Sequence, residues 1–183
     1  VVKELVENAI DSGANAITIE IKQGGISFIR ITDNGCGIPK DQIPLAFQRH
    51  ATSKISTIED LLQVKSLGFR GEALSSIAAV SQVELITKDA DSIIGCRYEI
   101  HGGTEITNEE IGCPDGTTFI MRNLFYNTPA RGKFLKTNAT EGGYISDVVL
   151  HFILSHPEIR FKFIWDGKIK IQTSGNGNVK DNI

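Results

Sequence analysis

The stretch that decides the fold is Asp33-Asn34-Gly35-Cys36-Gly37-Ile38, in a sequence of 183 residues. It follows the alternating residues 26–32 and precedes Pro39, and proline is favoured where a helix begins. The motif is therefore predicted to lie between a strand and a helix. Its two glycines allow tight backbone turns and the close approach of a ligand. Taken alone, the pattern Asp-x-Gly-x-Gly is also what an ordinary tight turn uses.

An amphipathic helix is predicted upstream of this turn. Apolar residues recur at helical spacing over residues 2–11, and Gly13 is placed to end the helix. Residues 16–22 and 26–32 alternate on either side of Gly24-Gly25, which predicts a β-hairpin. A polar stripe on a helix is either solvated surface or the wall of a site. On a helical wheel four polar residues share one narrow face: Glu4, Glu7, Asn8 and Asp11.

A second glycine-bracketed segment lies downstream, after a predicted helix over about 40–49. Gly68-Phe69-Arg70-Gly71 precedes good helix formers, residues 73–80, so it is predicted to be a loop that opens a helix. Its glycines either permit a bend or let backbone N–H groups hold a phosphate.

The remaining pattern interleaves helices with antiparallel hairpins. We therefore predict an α+β fold, a two-layer α/β sandwich in which helices cover one face of a mixed, mainly antiparallel sheet. The predicted elements are strands at 82–87, 96–101 and 117–122, a helix over about 141–154, and a hairpin that turns at Asp166-Gly167.

The composition indicates one globular domain, with 40% hydrophobic residues. No apolar run reaches the roughly 20 residues that span a bilayer, and the N-terminus lacks a secretory pattern, so a soluble intracellular protein is expected. The formal net charge of −3 means that the overall charge of the protein does not favour binding to nucleic acid. Any DNA contact needs a local patch, and the basic run 131–136 is either such a patch or an exposed structural loop.

Five strings in order resemble the MutL DNA mismatch-repair family, whose N-terminal region is a GHKL-type ATPase domain with the Bergerat fold. That superfamily has no lysine-bearing P-loop, and none occurs here. The resemblance covers residues 1 to about 165. The strings are Glu4-Leu5-Val6-Glu7-Asn8, the 33–38 motif, Arg49-His50-Ala51-Thr52-Ser53-Lys54, Leu67-Gly68-Phe69-Arg70-Gly71-Glu72-Ala73-Leu74 and Leu124-Phe125-Tyr126-Asn127-Thr128-Pro129-Ala130-Arg131.

The resemblance implies roles for the helix face. Glu4 is expected to be the general base that orients a water towards the γ-phosphate of ATP, which requires a carboxylate within hydrogen-bond reach. Asn8, one helical turn later, is expected to give an oxygen ligand to Mg²⁺. Glu7 is close to this face and is expected to brace the pocket rather than to take part in the chemistry.

The resemblance also implies an adenine-binding end and a phosphate-binding loop. Asp33 would accept a hydrogen bond from the adenine amine, Gly35 and Gly37 would let the base approach, and Thr117 would complete this end. Thr118 should point the other way, because side chains alternate along a strand. The resemblance places further ATP-binding residues in the loop and in the helix that it opens: Thr52, Ser53, Lys54, Gly68, Phe69, Arg70, Gly71, Glu72, Ala73 and Leu74.

At the level of the whole protein, the resemblance implies that ATP-driven conformational change and dimerisation couple mismatch recognition to strand incision. The implied partners are ATP with Mg²⁺, mismatched DNA, a MutS-type mismatch-recognition protein and a second copy, with no membrane, in the cytoplasm or, in a eukaryote, the nucleus. Residues 1–183 are expected to be a GHKL domain truncated at its N-terminus, with 175–183 starting a linker to a second module. Alone, it is expected to hydrolyse ATP weakly or not at all. The alternative is a binding module in which occupancy, not turnover, rearranges a partner surface.

Overall fold

The computed structural model describes residues 1–48 and 73–178. Its elements form one sheet with helices packed against it. The helices are α1 (Val2–Asp11), α2 (Ile43–Ala46), α3 (Ala73–Ala79), α4 (Pro129–Gly132) and α5 (Asn138–Ser155), with 3₁₀ turns at Gln23–Gly25 and Lys40–Gln42. The strands are β1 (Ala16–Lys22), β2 (Phe28–Asp33), β3 (Gln82–Lys88), β4 (Gly95–His101), β5 (Thr104–Ile111), β6 (Gly116–Arg122), β7 (Arg160–Trp165) and β8 (Lys168–Gln172).

The sheet has eight strands in the order β5-β4-β3-β6-β2-β1-β7-β8. Neighbouring strands run antiparallel except β1 and β7, which are parallel and are joined in register from Ala16↔Arg160 to Ile21↔Trp165. The predicted mixed, mainly antiparallel sheet is therefore confirmed. Within the described ranges, the helices are too short or too polar to span a membrane.

One face of the sheet carries the core. Ile17, Ile19 and Ile21 of β1 alternate with exposed or half-buried residues and are at most 1% exposed. The strand register aligns them with buried residues of β2, β6, β3 and β7, among them Phe161 and Phe163. Apolar residues of α1, α3 and α5 belong to the same cluster. The alternation in the sequence is thus explained by a sheet with one apolar face covered by helices.

The opposite face is stabilised by ion pairs across several strands. Glu84 of β3 is only 8% exposed and receives Arg97 from β4 and Arg122 from β6, at 2.7 and 2.9 Å. Arg97 also pairs with Glu99 and Glu109. Burial opposes ionisation of Glu84, but the two guanidinium groups outweigh it and lower its pKa.

Two elements differ from the sequence pattern. The helix predicted over about 40–49 is a 3₁₀ turn followed by the four-residue α2, in which Pro44 lacks an N–H and Phe47 closes an i→i+3 bond to it at 3.3 Å. Strand β5 was not predicted, because it is an edge strand whose residues are almost all exposed. An edge strand without an apolar face gives no alternating signal.

Replacing Phe163 tests the position of the core. Phe163→Ala should lower the free energy of unfolding by about 3–5 kcal/mol, because it removes a fully buried aromatic ring and leaves a cavity. Phe134, which is 84% exposed, provides the matched control, and Phe134→Ala should change stability by less than about 0.5 kcal/mol. Urea unfolding followed by circular dichroism measures both, and similar losses in the two variants would contradict the assigned core.

Candidate functional site

Helix α1 presents Glu4 and Asn8 one turn apart, both half-buried. The helix is held by its opposite face, where Leu5 and Val6 are at most 5% exposed. Glu7 is in a different situation, because its carboxylate lies 3.9 Å from Lys3 Nζ in an exposed i,i+4 pair. The structure therefore gives Glu7 a surface partner, while Glu4 and Asn8 lie at the edge of the packed region.

The C-terminal end of α1 is tied directly to the turn after β2. Cys36 N donates to the carbonyl of Ser12 at 3.0 Å. Asn34 Oδ1 accepts from the backbone N–H groups of Asn15 and Ala16, each at 3.0 Å. Sequence reasoning missed this use of Asn34, although asparagine is known to bind backbone groups around turns. These bonds fix the turn, and with it the end of β2, relative to the helix that carries Glu4 and Asn8.

The two glycines of the motif are required by packing within the protein. A Cβ atom on Gly35 would collide with the hydroxyl of Ser12, and one on Gly37 would collide with the carbonyl oxygen of Lys88. Gly37 also has φ +72°, a conformation that residues with a Cβ rarely adopt. From the sequence, these glycines were predicted to allow the close approach of a ligand. The structure shows that parts of the protein itself already approach them closely.

Asp33 and Thr117 are partners across β2 and β6, and Thr117 is in turn the partner of Thr87 on β3. Thr87 is 1% exposed and has its hydroxyl in a network: it accepts from Ile38 N and donates to Gly116 O, both at 2.9 Å, and lies 3.0 Å from Thr117 Oγ1. This row of Asp33, Thr117 and Thr87 joins the turn to three strands. Thr87 was missed from the sequence, where a threonine in a strand has no distinguishing signal.

Thr118 lies on the opposite face of the sheet from this row. Its hydroxyl is 3.2 Å from that of Thr32, the residue next to Asp33. This placement agrees with the alternation argument that separated Thr118 from Thr117.

The Asp33 carboxyl has an unusual electrostatic environment. Burial raises its pKa to about 6. Three hydrogen bonds act in the other direction, from the backbone N–H of Gly35 at 2.8 Å, from the backbone N–H of Thr117 and from the Ser12 hydroxyl. Asp33 is therefore largely ionised at neutral pH but incompletely compensated, which is the state of a carboxylate able to accept a further donor.

The other predicted site residues divide into two groups. Ala73 and Leu74 begin α3, and the Leu74 side chain is 3% exposed in the core, so only its backbone is available to a ligand. The remaining predicted loop residues lie outside the described residues: Thr52, Ser53, Lys54, Gly68, Phe69, Arg70, Gly71 and Glu72.

A family model matches the chain over residues 1–125, and its description is "Histidine kinase-, DNA gyrase B-, and HSP90-like ATPase". Among curated proteins, the DNA mismatch repair protein MutL of Agathobacter rectalis is 70% identical over 99% of this chain. MutL of Thermoanaerobacter pseudethanolicus is 50% identical over the same share. The chain spans 28% and 30% of the lengths of these two relatives.

Solved structures give the same result. The chain superposes on the Aquifex aeolicus MutL ATPase domain complexed with ADP with a TM-score of 0.77 and 30% identity, covering 99% of this chain and 64% of that one. It superposes on the N-terminal domain of a DNA repair protein with a TM-score of 0.81 and 30% identity, covering 99% and 54%. The expected GHKL-type ATPase fold and the resemblance to MutL are confirmed.

Gly37→Ala tests whether the turn is packed as described. Both Gly37 and Gly167 have positive φ, but the space around a Cβ on Gly167 is open. Gly167→Ala should therefore cost only the backbone strain, about 1–2 kcal/mol, whereas Gly37→Ala should cost clearly more because it also displaces the Lys88 carbonyl. Chemical unfolding of both variants measures the difference. Equal costs would show that the turn does not contact β3 as described.

Asp33→Asn tests the raised pKa of the half-buried carboxylate without a ligand. Because the folded pKa of Asp33 exceeds its unfolded value of about 3.8, the folded state holds the proton more tightly, and stability falls as pH rises from about 4 to 6. Asp33→Asn should lack this fall. The free energy of unfolding of Asp33→Asn, relative to that of the unmodified protein, should therefore rise by roughly 2–3 kcal/mol from pH 4 to pH 8.

Urea unfolding at several pH values measures this gain. Asp11→Asn, an exposed position on α1, provides the control and should follow the unmodified protein throughout. A constant difference between Asp33→Asn and the unmodified protein across the range would contradict the raised pKa.

Proposed function

The chain belongs to the family of histidine kinase-, DNA gyrase B- and HSP90-like ATPases, and we propose that it is the ATP-binding and ATP-hydrolysing domain of a MutL-type DNA mismatch-repair protein. The observation that carries this proposal is the half-buried Asp33 carboxylate, tied through the turn to the helix that bears Glu4 and Asn8. The printed description of one similar structure, a MutL ATPase domain complexed with ADP, supports the same ligand here.

Asp33 and Thr117 form the end of the site that takes the base. Adenine has an exocyclic amine that needs an acceptor, and Asp33 is an acceptor whose charge is incompletely satisfied by Gly35 and Thr117. The Thr117 hydroxyl is part of the network with Thr87, so it is held in place rather than free to rotate. Guanine has a carbonyl oxygen at the position of the adenine amine, so it would place an acceptor against the Asp33 carboxylate, which favours adenine over guanine.

Glu4 and Asn8 form the end of the site that takes the phosphates. Glu4 lies eight residues before Ser12, which contacts the base end, and a helix rises 1.5 Å per residue, so about 12 Å along α1 separates the two ends. We assign to Glu4 the orientation and deprotonation of the attacking water. The Asn8 amide oxygen has the hard character that Mg²⁺ prefers. When bound, Mg²⁺ neutralises charge on the phosphates.

The function of the whole protein extends this proposal. The MutL relatives are more than three times as long as this chain, so conformational change, self-dimerisation and coupling to a MutS-type recognition protein on mismatched DNA would involve residues beyond it. A cytoplasmic location and a linker starting within 175–183 fit this role. A second candidate is nucleotide occupancy without turnover, which the chain would share with regulatory binding modules.

Substitutions at the two ends should separate binding from chemistry. In the complete MutL-type protein, Glu4→Ala should lower ATP turnover by about 10²-fold or more and leave affinity for a non-hydrolysable analogue nearly unchanged. Asp33→Asn should instead weaken binding of the analogue by about 1–3 kcal/mol, because an amide can present a donor to the adenine amine. Phosphate release and calorimetric titration measure these two quantities.

Glu7→Ala is the matched control for Glu4→Ala, because Glu7 is a carboxylate on the same helix with a surface partner. It should change neither turnover nor affinity. Loss of binding in Glu4→Ala would show that the two ends are misassigned. Unchanged turnover in Glu4→Ala would show that Glu4 is not the general base. Binding of the analogue without measurable turnover in the unmodified protein would favour the occupancy module.

A further inference from the structure

Ser12 is the residue through which α1 meets the turn. It caps the C-terminal end of α1, with its N–H donating to the carbonyl of Asn8 at 3.0 Å. Its own carbonyl accepts from Cys36 N at 3.0 Å, and its hydroxyl donates to the carbonyl of Ala9 at 2.7 Å. One residue thus connects the proposed phosphate end, through Asn8, to the proposed base end.

The Ser12 hydroxyl occupies the space that Gly35 leaves open. A side chain at Gly35 would collide with Ser12 Oγ and Cβ. The N–H of Gly35 is in turn the donor to Asp33 Oδ1, at 2.8 Å. The hydroxyl is therefore held beside the Gly35–Asp33 contact, where it lowers the pKa of the Asp33 carboxyl.

This hydroxyl has one hydrogen and two acceptors. A serine O–H can donate to one acceptor at a time, and its oxygen can accept as well. With Asp33 ionised, the hydrogen can turn from the Ala9 carbonyl to the carboxylate. With Asp33 protonated, the carboxyl O–H can donate to Ser12 Oγ while the serine hydrogen stays on Ala9. In the structure the hydroxyl donates to the Ala9 carbonyl.

We propose that Ser12 is a positioning residue for the nucleotide base: its hydroxyl holds the Asp33 carboxylate as an acceptor towards the base and joins that acceptor to the helix bearing Glu4 and Asn8. The inference rests on the proposed function, since it assigns Asp33 to the adenine amine. It goes beyond that function, because none of the motifs that carry the resemblance contains Ser12.

Within residues 1–48 and 73–178, the charged groups on the elements around Asp33 do not account for the effect assigned to Ser12. On β3 and in the loop before β6, Lys88 and Asp115 form a salt bridge with each other at 2.6 Å. On α1, Asp11 is exposed. The influences on the pKa of Asp33 are burial, which raises it, and the hydrogen bonds from Gly35, Thr117 and Ser12, which lower it. Of these hydrogen bonds, only the one from Ser12 comes from a side chain and can be removed by substitution.

The test is the pH dependence of nucleotide affinity in Ser12→Ala. In the unmodified protein, affinity for a non-hydrolysable ATP analogue should fall below about pH 6, where Asp33 takes up a proton. Ser12→Ala should move this midpoint up by about one pH unit, the shift that corresponds to loss of one hydrogen bond to a carboxylate. Asp33→Asn should lose the contribution of Asp33 and keep only the pH dependence of the analogue's own terminal phosphate. Calorimetric titration between pH 5 and pH 9 measures all three.

Ser81→Ala is the matched control. Ser81 is fully buried, and its hydroxyl donates to the carbonyl four residues earlier, Ile77, at 2.6 Å, so its loss removes a similar helix bond elsewhere. Ser81→Ala should lower stability without moving the midpoint. A merely structural role for Ser12 would give the same behaviour in Ser12→Ala, and that result would overturn the proposal.

A second readout separates failure of this inference from failure of the proposed function. The ¹³C shift of the Asp33 carboxyl, titrated without nucleotide, should show a higher pKa in Ser12→Ala than in the unmodified protein. If the unmodified protein binds no ATP analogue, the proposed function fails whatever this titration shows. If it binds with a midpoint near pH 6 while Ser12→Ala leaves both the midpoint and the carboxyl titration unchanged, the positioning role of Ser12 is wrong and the proposed function stands.

Discussion

The close packing of the α1 C-terminus on the turn after β2 is the constraint on which the site depends. It requires a residue without a side chain at Gly35, because Ser12 fills that space, and it is closed by the bond from Cys36 N to the Ser12 carbonyl. Without this contact, the helix that carries Glu4 and the strand that ends at Asp33 would be joined only by the apolar core and by the bonds of Asn34 to Asn15 and Ala16. The helix and strand are each stabilised by the apolar core, but their relative position is determined here.

The apolar packing of the sheet stabilises the elements that hold the candidate site. Asp33 lies at the end of a strand whose preceding inward residues, Ile29 and Ile31, are 2% exposed, so the carboxyl is desolvated by the same packing that stabilises β2. Glu84 on the opposite face is more deeply buried, yet two arginines lower its pKa. Within residues 1–48 and 73–178, Glu84 is paired with arginines, whereas the half-buried Asp33 has only hydrogen-bond donors, and this contrast supports the proposed role of Asp33 as an acceptor for a ligand.

Hydroxyl groups make the base end rigid. Thr87 joins Ile38 of the turn to Gly116 and Thr117 of β6, so that the turn and two strands move together. Each partner is a backbone group or another threonine on an adjacent strand, which leaves little rotational freedom. A pre-arranged acceptor and hydroxyl reduce the ordering that binding a base requires.

The sequence by itself predicted most of the local structure and indicated which groups are proposed to carry the chemistry. Period-two alternation predicted β1, β2 and the face on which Thr117 lies, helical spacing placed Glu4 and Asn8 together, and motif order indicated the family, because each signal lies within a few residues. Only the tertiary structure decided the packing role of Gly35, the network of Thr87 and the raised pKa of Asp33. These depend on contacts such as Thr87 with Ile38, 49 residues apart, and burial by distant segments leaves no mark on the local pattern.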